Sequence, residues 1–270
     1  MPRYFLEVSY KGTAYSGFQS QANANTIQAE IERVFEILFP HPSPLIGEGM
    51  GVRLTGSSRT DKGVHARQNF FHFDTNFPIH LFKGIKDKEA LIYKINAILP
   101  GDIVAKALFT VPGDAHCRFD AVSREYSYYI YNHKDPFLKE RAFYYPYKLD
   151  LDKLQQAAAI IIDYKDFTSF SKRNTQAKTF LCNIEQSHWF VEENYLVYNV
   201  KANRFLRGMV RALTATMLKV GRNTISIQEF KNIIEAKDCT KASFAVPPQG
   251  LFLLSVQYPD SYFDNPRAIQ

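Results

Sequence analysis

A small polar loop that runs directly into an aromatic segment is the feature that most constrains this chain. It spans residues 56–73 and reads GSSRTDKGVHARQNFFHF. Polar and aromatic residues alternate over residues 68–73, which predicts a β-strand. The loop before this strand carries one carboxylate, Asp61, close to Arg59 and Gly63. Because chemistry concentrates on loops that rigid elements hold in place, Asp61 is a candidate nucleophile or general base.

The same carboxylate has an alternative, purely structural interpretation. Asp and Gly residues in loops commonly hydrogen bond to nearby backbone and stabilise turns. The local pattern by itself favours this turn role for Asp61. A catalytic role therefore needs support from the rest of the chain.

The composition predicts a folded protein with one large or two small domains. The chain has 270 residues, and its 22 Phe and 16 Tyr are enough for a substantial core. It contains no run of about 18 apolar residues, so no membrane span is expected. The first residues lead straight into a predicted strand and lack the layout of a signal peptide.

Cysteine usage and charge narrow the expected location and partners. The chain has three cysteines that lie far apart in the sequence, Cys117, Cys182 and Cys239. This spacing predicts neither a disulfide framework nor a zinc site, and it favours a reducing cytoplasm. The net charge of +6 gives mild support for a polyanionic partner. No Gly-rich loop ends in Lys-Ser or Lys-Thr and the histidines show no ligand spacing, so no cofactor or metal is predicted.

Hydrophobic periodicity predicts the same element order in both halves of the chain. The first half reads as strand 3–10, helix 27–38, a short strand before residue 56, strand 68–74, helix 88–99 and strand 103–111. Residues 41–51, rich in Pro and Gly, predict a surface excursion. The second half reads as strands 124–131 and 141–147, helix 151–162, hairpin strands 180–191 and 195–201, helix 205–220, a helix capped by Ser226, and strand 251–258.

This β-α-β-β-α-β order is the split βαβ arrangement. The sequence therefore predicts an α+β fold made of two ferredoxin-like subdomains. We expect them to cover residues 1–112, with the Asp61 loop, and residues 113–270. The punctuation at Pro112-Gly113 marks the predicted boundary.

The loop around Asp61 closely resembles the signature of a known enzyme family. Residues 59–66, RTDKGVHA, match the motif of the tRNA pseudouridine synthase A family, usually seen as GRTDAGVHA. The resemblance implies that Asp61 is the catalytic nucleophile and that Arg59 contacts RNA where the target base is flipped out. Ser58 and Lys62 depart from the family's Gly and Ala, and Lys62 could add a phosphate contact.

A stretch on either side of residue 120 resembles the family's second motif. It runs from Asp114 through DAHCRFDAVSREY, with Cys117 where the family more often has Ala. The resemblance implies that Tyr126 stacks on the uracil and takes part in a late proton transfer. Arg118 and Arg124 are candidate phosphate contacts, with a solvated surface role as the alternative.

Two later stretches also resemble family motifs. Residues 202–211 read ANRFLRGMVR and fall in the predicted helix 205–220, which places Arg211 one turn after Arg207. The resemblance implies that Arg211 forms an ion pair with Asp61. Residues 246–251 read VPPQGL, and the resemblance implies that Leu251 packs on the uracil face opposite Tyr126.

The early segment YKGTAYSGFQ, residues 10–19, also resembles a family stretch, with Phe18 where the family has Trp. An aromatic beside a turn is usually a core residue, and we interpret Phe18 in this way. Tyr10, Gly12 and Gly17 are expected to shape the wall near the active site.

Taken together, the resemblance implies an enzyme that isomerises uridine to pseudouridine in the anticodon stem-loop of tRNA. It implies no cofactor, a homodimer that binds tRNA, a cytoplasmic location, and sheets that join around a central active-site cleft. Two alternatives stay open. One is a non-catalytic RNA-binding module of ferredoxin-like units, although no RNP1 string is present. The other is an Asp-nucleophile hydrolase, although no Asp-x-Asp pair accompanies Asp61.

Overall fold

The chain divides into two compact units, of which the first is made of two separate segments and the second of one continuous segment. The computed structural model describes residues 1–39, 54–76, 78–82, 84–173 and 177–263. The first unit combines Met1–Val122 with the chain from Ser255 onwards, and the second unit is Ser123–Leu254. The surface excursion predicted for residues 41–51 lies outside the described residues. A domain boundary at Pro112-Gly113 stays a prediction.

The first unit is built from antiparallel strands and two helices. Its elements are β1 (Arg3–Tyr10), α1 (Ile27–Leu38), β2 (Thr55–Gly56), β3 (His65–Asp74), α2 (Lys88–Ile98) and β4 (Ile103–Val111). The strands lie in the order β4-β1-β3, and the two-residue β2 pairs with β3. Each of these pairs is antiparallel. The bounds of β1 and β4 are those that the sequence predicts.

The helix α1 forms where its capping residue and apolar spacing predict it. The Thr26 hydroxyl accepts a hydrogen bond from the Ala29 N–H at 3.3 Å and so caps the first turn. Ile27, Ile31 and Val34 fall on one face and are buried. The capping residue and the apolar spacing are therefore sufficient to predict where α1 begins and which face it buries.

The second unit repeats the mainly antiparallel theme. Its elements are β5 (Ser123–Tyr131), β6 (Phe143–Tyr144), α3 (Leu151–Ile160), β7 (Ile184–Glu192), β8 (Tyr195–Ala202), α4 (Met209–Gly221) and α5 (Ile227–Glu235). The strands lie in the order β5-β8-β7, and β6 pairs with β5 in parallel. The last strand, β9 (Leu251–Gln257), is shared, with Leu251–Leu254 in the second unit and the remainder in the first. The predicted α+β class with mainly antiparallel strands is confirmed.

The predicted helix 205–220 is wrong at its start. The helix α4 begins at Met209, because Gly208 has a φ of 76° and lies in the left-handed region. A residue with this backbone interrupts helical hydrogen bonding, so Phe205 and Arg207 precede the helix. Arg207 and Arg211 therefore do not lie one helical turn apart on the same face.

Two smaller differences concern strands of the second unit. The predicted strand 141–147 pairs through only Phe143 and Tyr144. The hairpin begins at Ile184 instead of residue 180, and it turns at Glu193, which has a φ of 51°. The capping box predicted at Ser226 and Glu229 is confirmed. Of the helices in the described segments, none is long and apolar enough to cross a membrane.

Candidate active site

The Asp61 loop is a tight turn that connects β2 to β3. The Val64 N–H donates to the Asp61 carbonyl at 3.2 Å, and Gly63 has a φ of 80°, which a residue with a side chain rarely adopts. The Asp61 side chain is half-buried, whereas Arg59 and Lys62 on either side are exposed. The turn thus presents one carboxylate at a partly accessible position between two cations.

Thr60, the residue before Asp61, is held through both its side chain and its backbone. Its Oγ1 lies 2.9 Å from the Tyr10 hydroxyl at the end of β1. Its carbonyl accepts the Phe18 N–H at 3.1 Å. Thr60 is buried, so neither bond is weakened by competition with water. The position of the carboxylate is therefore defined by two segments that are distant in sequence.

A buried asparagine on β3 holds the other end of the loop. The Asn69 side-chain amide donates to the Ser58 carbonyl at 2.9 Å and to the Tyr10 hydroxyl at 3.2 Å. Its Oδ1 accepts the Ser57 hydroxyl at 2.6 Å. A fully buried amide must satisfy its hydrogen bonds, and here it does so with residues of the Asp61 loop and with Tyr10. Asn69 was not among the predicted site residues, although a polar residue inside an aromatic strand was the available signal.

Two glycines of the early segment allow the loop to pack closely against it. A Cβ at Gly12 would lie 2.0 Å from the Val64 carbonyl oxygen, and the Gly12 N–H donates to His65 Nδ1 at 3.1 Å. Gly17 has a φ of 110° and faces the Thr60 carbonyl. The expectation that this segment forms the wall near Asp61 agrees with these contacts.

Phe18 is a core residue, as predicted. Its side chain is buried and stacks on Phe71 with ring centroids 4.8 Å apart. A Cβ at Gly56 would meet the Phe18 ring at 2.1 Å, so a larger residue here would displace the ring. The Phe18 ring therefore packs against Gly56, where the Asp61 loop begins.

A pocket of about 190 Å³ opens beside this loop within the first unit. It contains two of the predicted RNA contacts, Arg59 and Arg118. Its remaining lining residues are Phe18, Gln19, Gln28, Leu54, Thr55, Gly56, His116 and Phe119. The structure thus brings together basic residues from two motifs that lie far apart in the sequence.

The predicted site residues of the second unit lie on β5, α4 and β9. Tyr126 is on β5 and almost buried, with its ring edge-on to Phe205 at a centroid distance of 5.1 Å. Arg211 lies in the first turn of α4, and its Nε and Nη2 donate to the Val246 carbonyl at 3.0 and 2.7 Å. Arg124 Nη1 donates to the Asn203 carbonyl at 3.0 Å.

The segment that leads into β9 is anchored by a buried tyrosine. The Tyr128 hydroxyl donates to the Pro247 carbonyl at 2.6 Å. Burial raises the pKa of Tyr128, so the hydroxyl stays protonated and remains a donor. This bond and the hydrogen bonds from Arg211 to the Val246 carbonyl hold the segment that precedes β9 in place. They thereby position Leu251, the buried first residue of β9.

A cluster of two histidines and one cysteine lies next to the pocket beside the Asp61 loop, and His116 belongs to both. The nitrogen and sulfur atoms of His72, His116 and Cys117 lie within 4.8 Å of one another, a spacing that a metal ion could use. His72 Nδ1 is 3.1 Å from Cys117 Sγ and accepts the Cys117 N–H, and His116 Nδ1 accepts the Arg118 N–H. Sequence spacing did not predict this cluster, because His72 is 45 residues from Cys117.

Comparisons with known proteins agree with the mixed α+β fold and identify the class of protein. A family model described as tRNA pseudouridine synthase matches residues 157–259. Relatives that match almost the whole chain place it among the pseudouridine synthases. The chain is also 42% identical over 263 residues to the tRNA pseudouridine synthase A of Parabacteroides distasonis, which covers 97% of this chain and 98% of that relative.

Other relatives with the same name extend the match. The protein from Porphyromonas gingivalis is 37% identical over 265 residues, covering 97% of this chain and 100% of its own length. That from Staphylococcus saprophyticus is 35% identical over 253 residues, covering 93% of this chain and 89% of its own. The chain belongs to the tRNA pseudouridine synthase A family.

Proposed function

We propose that this protein isomerises uridine to pseudouridine in the anticodon stem-loop of tRNA, with Asp61 as the nucleophile. The observation that carries the proposal is the arrangement around Asp61. The carboxylate is partly accessible, whereas its neighbour Thr60 is buried and hydrogen bonded on two sides. A reactive group on such a preorganised loop is held near its attack geometry before substrate arrives.

The reaction rearranges bonds within one nucleoside and needs no co-reactant. The bond from ribose C1′ to uracil N1 breaks, and a bond from C1′ to C5 forms. A proton leaves C5 and N1 gains one, so substrate and product are isomers. Asp61 bonds transiently to either C1′ or C6 and is regenerated. The uridine must first leave its stack, at a cost of a few kcal/mol that protein–RNA contacts offset.

The other site residues are proposed to bind and orient the RNA. Tyr126 stacks on the uracil and assists the late proton transfer, and Leu251 contacts the opposite face of the base. Arg211 pairs with Asp61. Four basic residues contact the RNA, with Arg59 holding the base out of its stack: Arg59, Lys62, Arg118 and Arg124. The resemblance to the family motifs supports the roles of Arg59, Tyr126, Arg211 and Leu251. Lys62, Arg118 and Arg124 are proposed as RNA contacts because of their positive charge.

The strand order supports a finer view of the fold. We infer that each unit is a split βαβ subdomain. In the first unit, β3 lies between β2 and β1, which are joined through α1, as that arrangement requires.

A homodimer in the cytoplasm is proposed on the family resemblance. Sedimentation equilibrium of the purified protein would test the dimer.

Mapping of pseudouridine in unmodified tRNA transcripts tests the proposed reaction. Carbodiimide labelling and primer extension would be applied to wild type, Asp61→Asn and the control Asp114→Asn, which removes the same charge from an exposed position in the first unit. We expect new stops next to the anticodon with wild type and the control only. Asp61→Asn should still bind tRNA. Tight binding without product from any of the three proteins would leave an RNA-binding module instead.

A further inference from the structure

The pocket beside the Asp61 loop has one aromatic wall that faces solvent. The Phe119 side chain is 73% exposed, whereas Phe18, the other phenylalanine that lines the pocket, is buried. Single exposed apolar residues are common and need no function. Phe119 differs because it lines a pocket that also holds Arg59 and Arg118. An exposed ring next to two cations is the combination that single-stranded nucleic-acid sites use.

The Phe119 ring is held firmly in place. His116 Nδ1 accepts the backbone N–H groups of Arg118 and Phe119 at 3.1 and 3.4 Å. The His116 and Phe119 rings lie 4.2 Å apart between centroids, and the Arg118 guanidinium carbon is 5.6 Å from the Phe119 ring centre.

The backbone of His116 is also hydrogen bonded. Its backbone N–H donates to the Asp120 carboxylate, which also accepts the Tyr262 hydroxyl at 2.7 Å. A ring fixed in this way loses little conformational entropy when a ligand stacks on it.

The size and chemistry of the pocket point to one kind of ligand. A volume of about 190 Å³ is small beside the roughly 300–1,000 Å³ of sites for drug-sized molecules. It suits a single flat ring, with ribose and phosphate left at the rim. The exposed amide of Gln19 can hydrogen bond to a base edge. Among the described residues that line the pocket none is acidic, which favours a polyanionic chain at its mouth.

We propose that this pocket binds a second, unpaired nucleobase of the tRNA, distinct from the uridine that reacts. The base stacks on Phe119, while Arg118 and Arg59 contact the adjoining phosphates. Asp61 is not among the described lining residues, so the pocket holds a neighbour of the target. The proposal rests on the proposed function, because it takes tRNA as the ligand. Holding a neighbouring base would keep the strand open while the target is at Asp61.

A set of variants at Phe119 tests this subsite. Phe119→Leu removes the stacking surface and Phe119→Trp retains it. Phe137→Leu is the matched control, because Phe137 is 80% exposed in the second unit and has no proposed role. We expect Phe119→Leu to weaken tRNA binding by roughly 5- to 150-fold, and the other two variants to bind within about twofold of wild type.

A second arm identifies the base. Transcripts carrying a single abasic nucleotide at each position around the anticodon would be bound by wild type and Phe119→Leu. At one position other than the target, the abasic change should weaken wild type but have little further effect on Phe119→Leu. Additive losses at every position, or wild-type affinity for Phe119→Leu, would overturn the proposal.

The failure of the proposed function would be distinguishable in the same experiments. Wild type that binds these transcripts without forming pseudouridine would contradict the enzyme, while the coupling between Phe119 and one abasic position would still report the subsite. Normal pseudouridine formation without that coupling would contradict the subsite alone.

Discussion

The Tyr10 hydroxyl lies 2.9 Å from Oγ1 of Thr60, the residue that immediately precedes the proposed nucleophile. Both residues are buried, so the contact is shielded from water. The last residue of β1 thus controls the geometry of a loop that lies 50 residues further along the chain. The position of Asp61 depends on a strand end as much as on its own motif.

Tyr10→Phe should therefore impair catalysis as well as folding. Loss of the hydroxyl leaves polar atoms of Thr60 and Asn69 without this partner, which we expect to cost about 1–3 kcal/mol of stability and about 10-fold or more in kcat. Denaturant unfolding and single-turnover pseudouridine formation would measure both effects.

Tyr4→Phe is the control for Tyr10→Phe. The Tyr4 hydroxyl is also buried in the first unit, but it accepts the Ile79 N–H at 3.3 Å instead of contacting the loop. It should lose stability with little change in kcat. Equal kcat values for the two variants would contradict a positioning role for Tyr10.

Gly12→Ala should displace the Asp61 loop. The added Cβ would lie 2.0 Å from the Val64 carbonyl oxygen, a backbone atom that can move only if the turn moves. We expect a stability loss of about 1–3 kcal/mol and at least a 10-fold lower kcat/KM. Gly101→Ala is the control, because a Cβ there has no atom within 4 Å. A Gly12→Ala protein with the kcat/KM and melting temperature of Gly101→Ala would show that the close approach is unimportant.

The sequence predicts most elements of this fold because their signals are local. Thr26 and the apolar spacing after it define α1, and the bounds of β1 and β4 are predicted to the residue. The start of α4 was missed because Gly208 takes a left-handed backbone that a hydrophobic pattern does not record. The motif around Asp61 could be read, but Asn69 could not be connected to it. A hydrogen bond from β3 to Ser58 depends on chain reversal, which periodicity does not describe.

Stability should fall in mild acid because of His72. Burial, with His116 and Arg3 nearby, lowers the pKa of His72 to about 4 from its ordinary 6.5. Between these values the unfolded chain binds the proton and the folded protein does not, so stability decreases as pH falls. The His72 contribution reaches at most about 1.4 kcal/mol per pH unit.

Urea unfolding between pH 7 and pH 4.5 would measure this slope in wild type and His72→Asn, whose amide oxygen can replace the Nδ1 acceptor. We expect a shallower slope in the variant. Some slope should remain, because burial also lowers the pKa of His116. An unchanged slope would exclude His72 as the titrating group.

Arg211→Lys should separate catalysis from substrate binding. Lysine keeps the charge but cannot reproduce the two hydrogen bonds that the guanidinium donates to the Val246 carbonyl. If Arg211 also pairs with Asp61, kcat should fall about 10- to 100-fold while KM for tRNA changes little. Arg207→Lys, at an exposed position before α4, is the matched control and should retain kcat. A rise in KM with unchanged kcat would assign Arg211 to RNA binding alone.

The discontinuous first unit has a consequence for synthesis on the ribosome. All of Ser123–Leu254 is translated before the residues from Ser255 onwards that complete the first unit. Until Tyr258 has emerged, Phe5 and Phe70 lack a ring that packs 5.2 Å from each of them in the finished protein. The unit that begins first on the ribosome therefore cannot be completed until the end of the chain has been made. Its phenylalanine-rich surface must be kept from aggregating throughout the translation of the second unit.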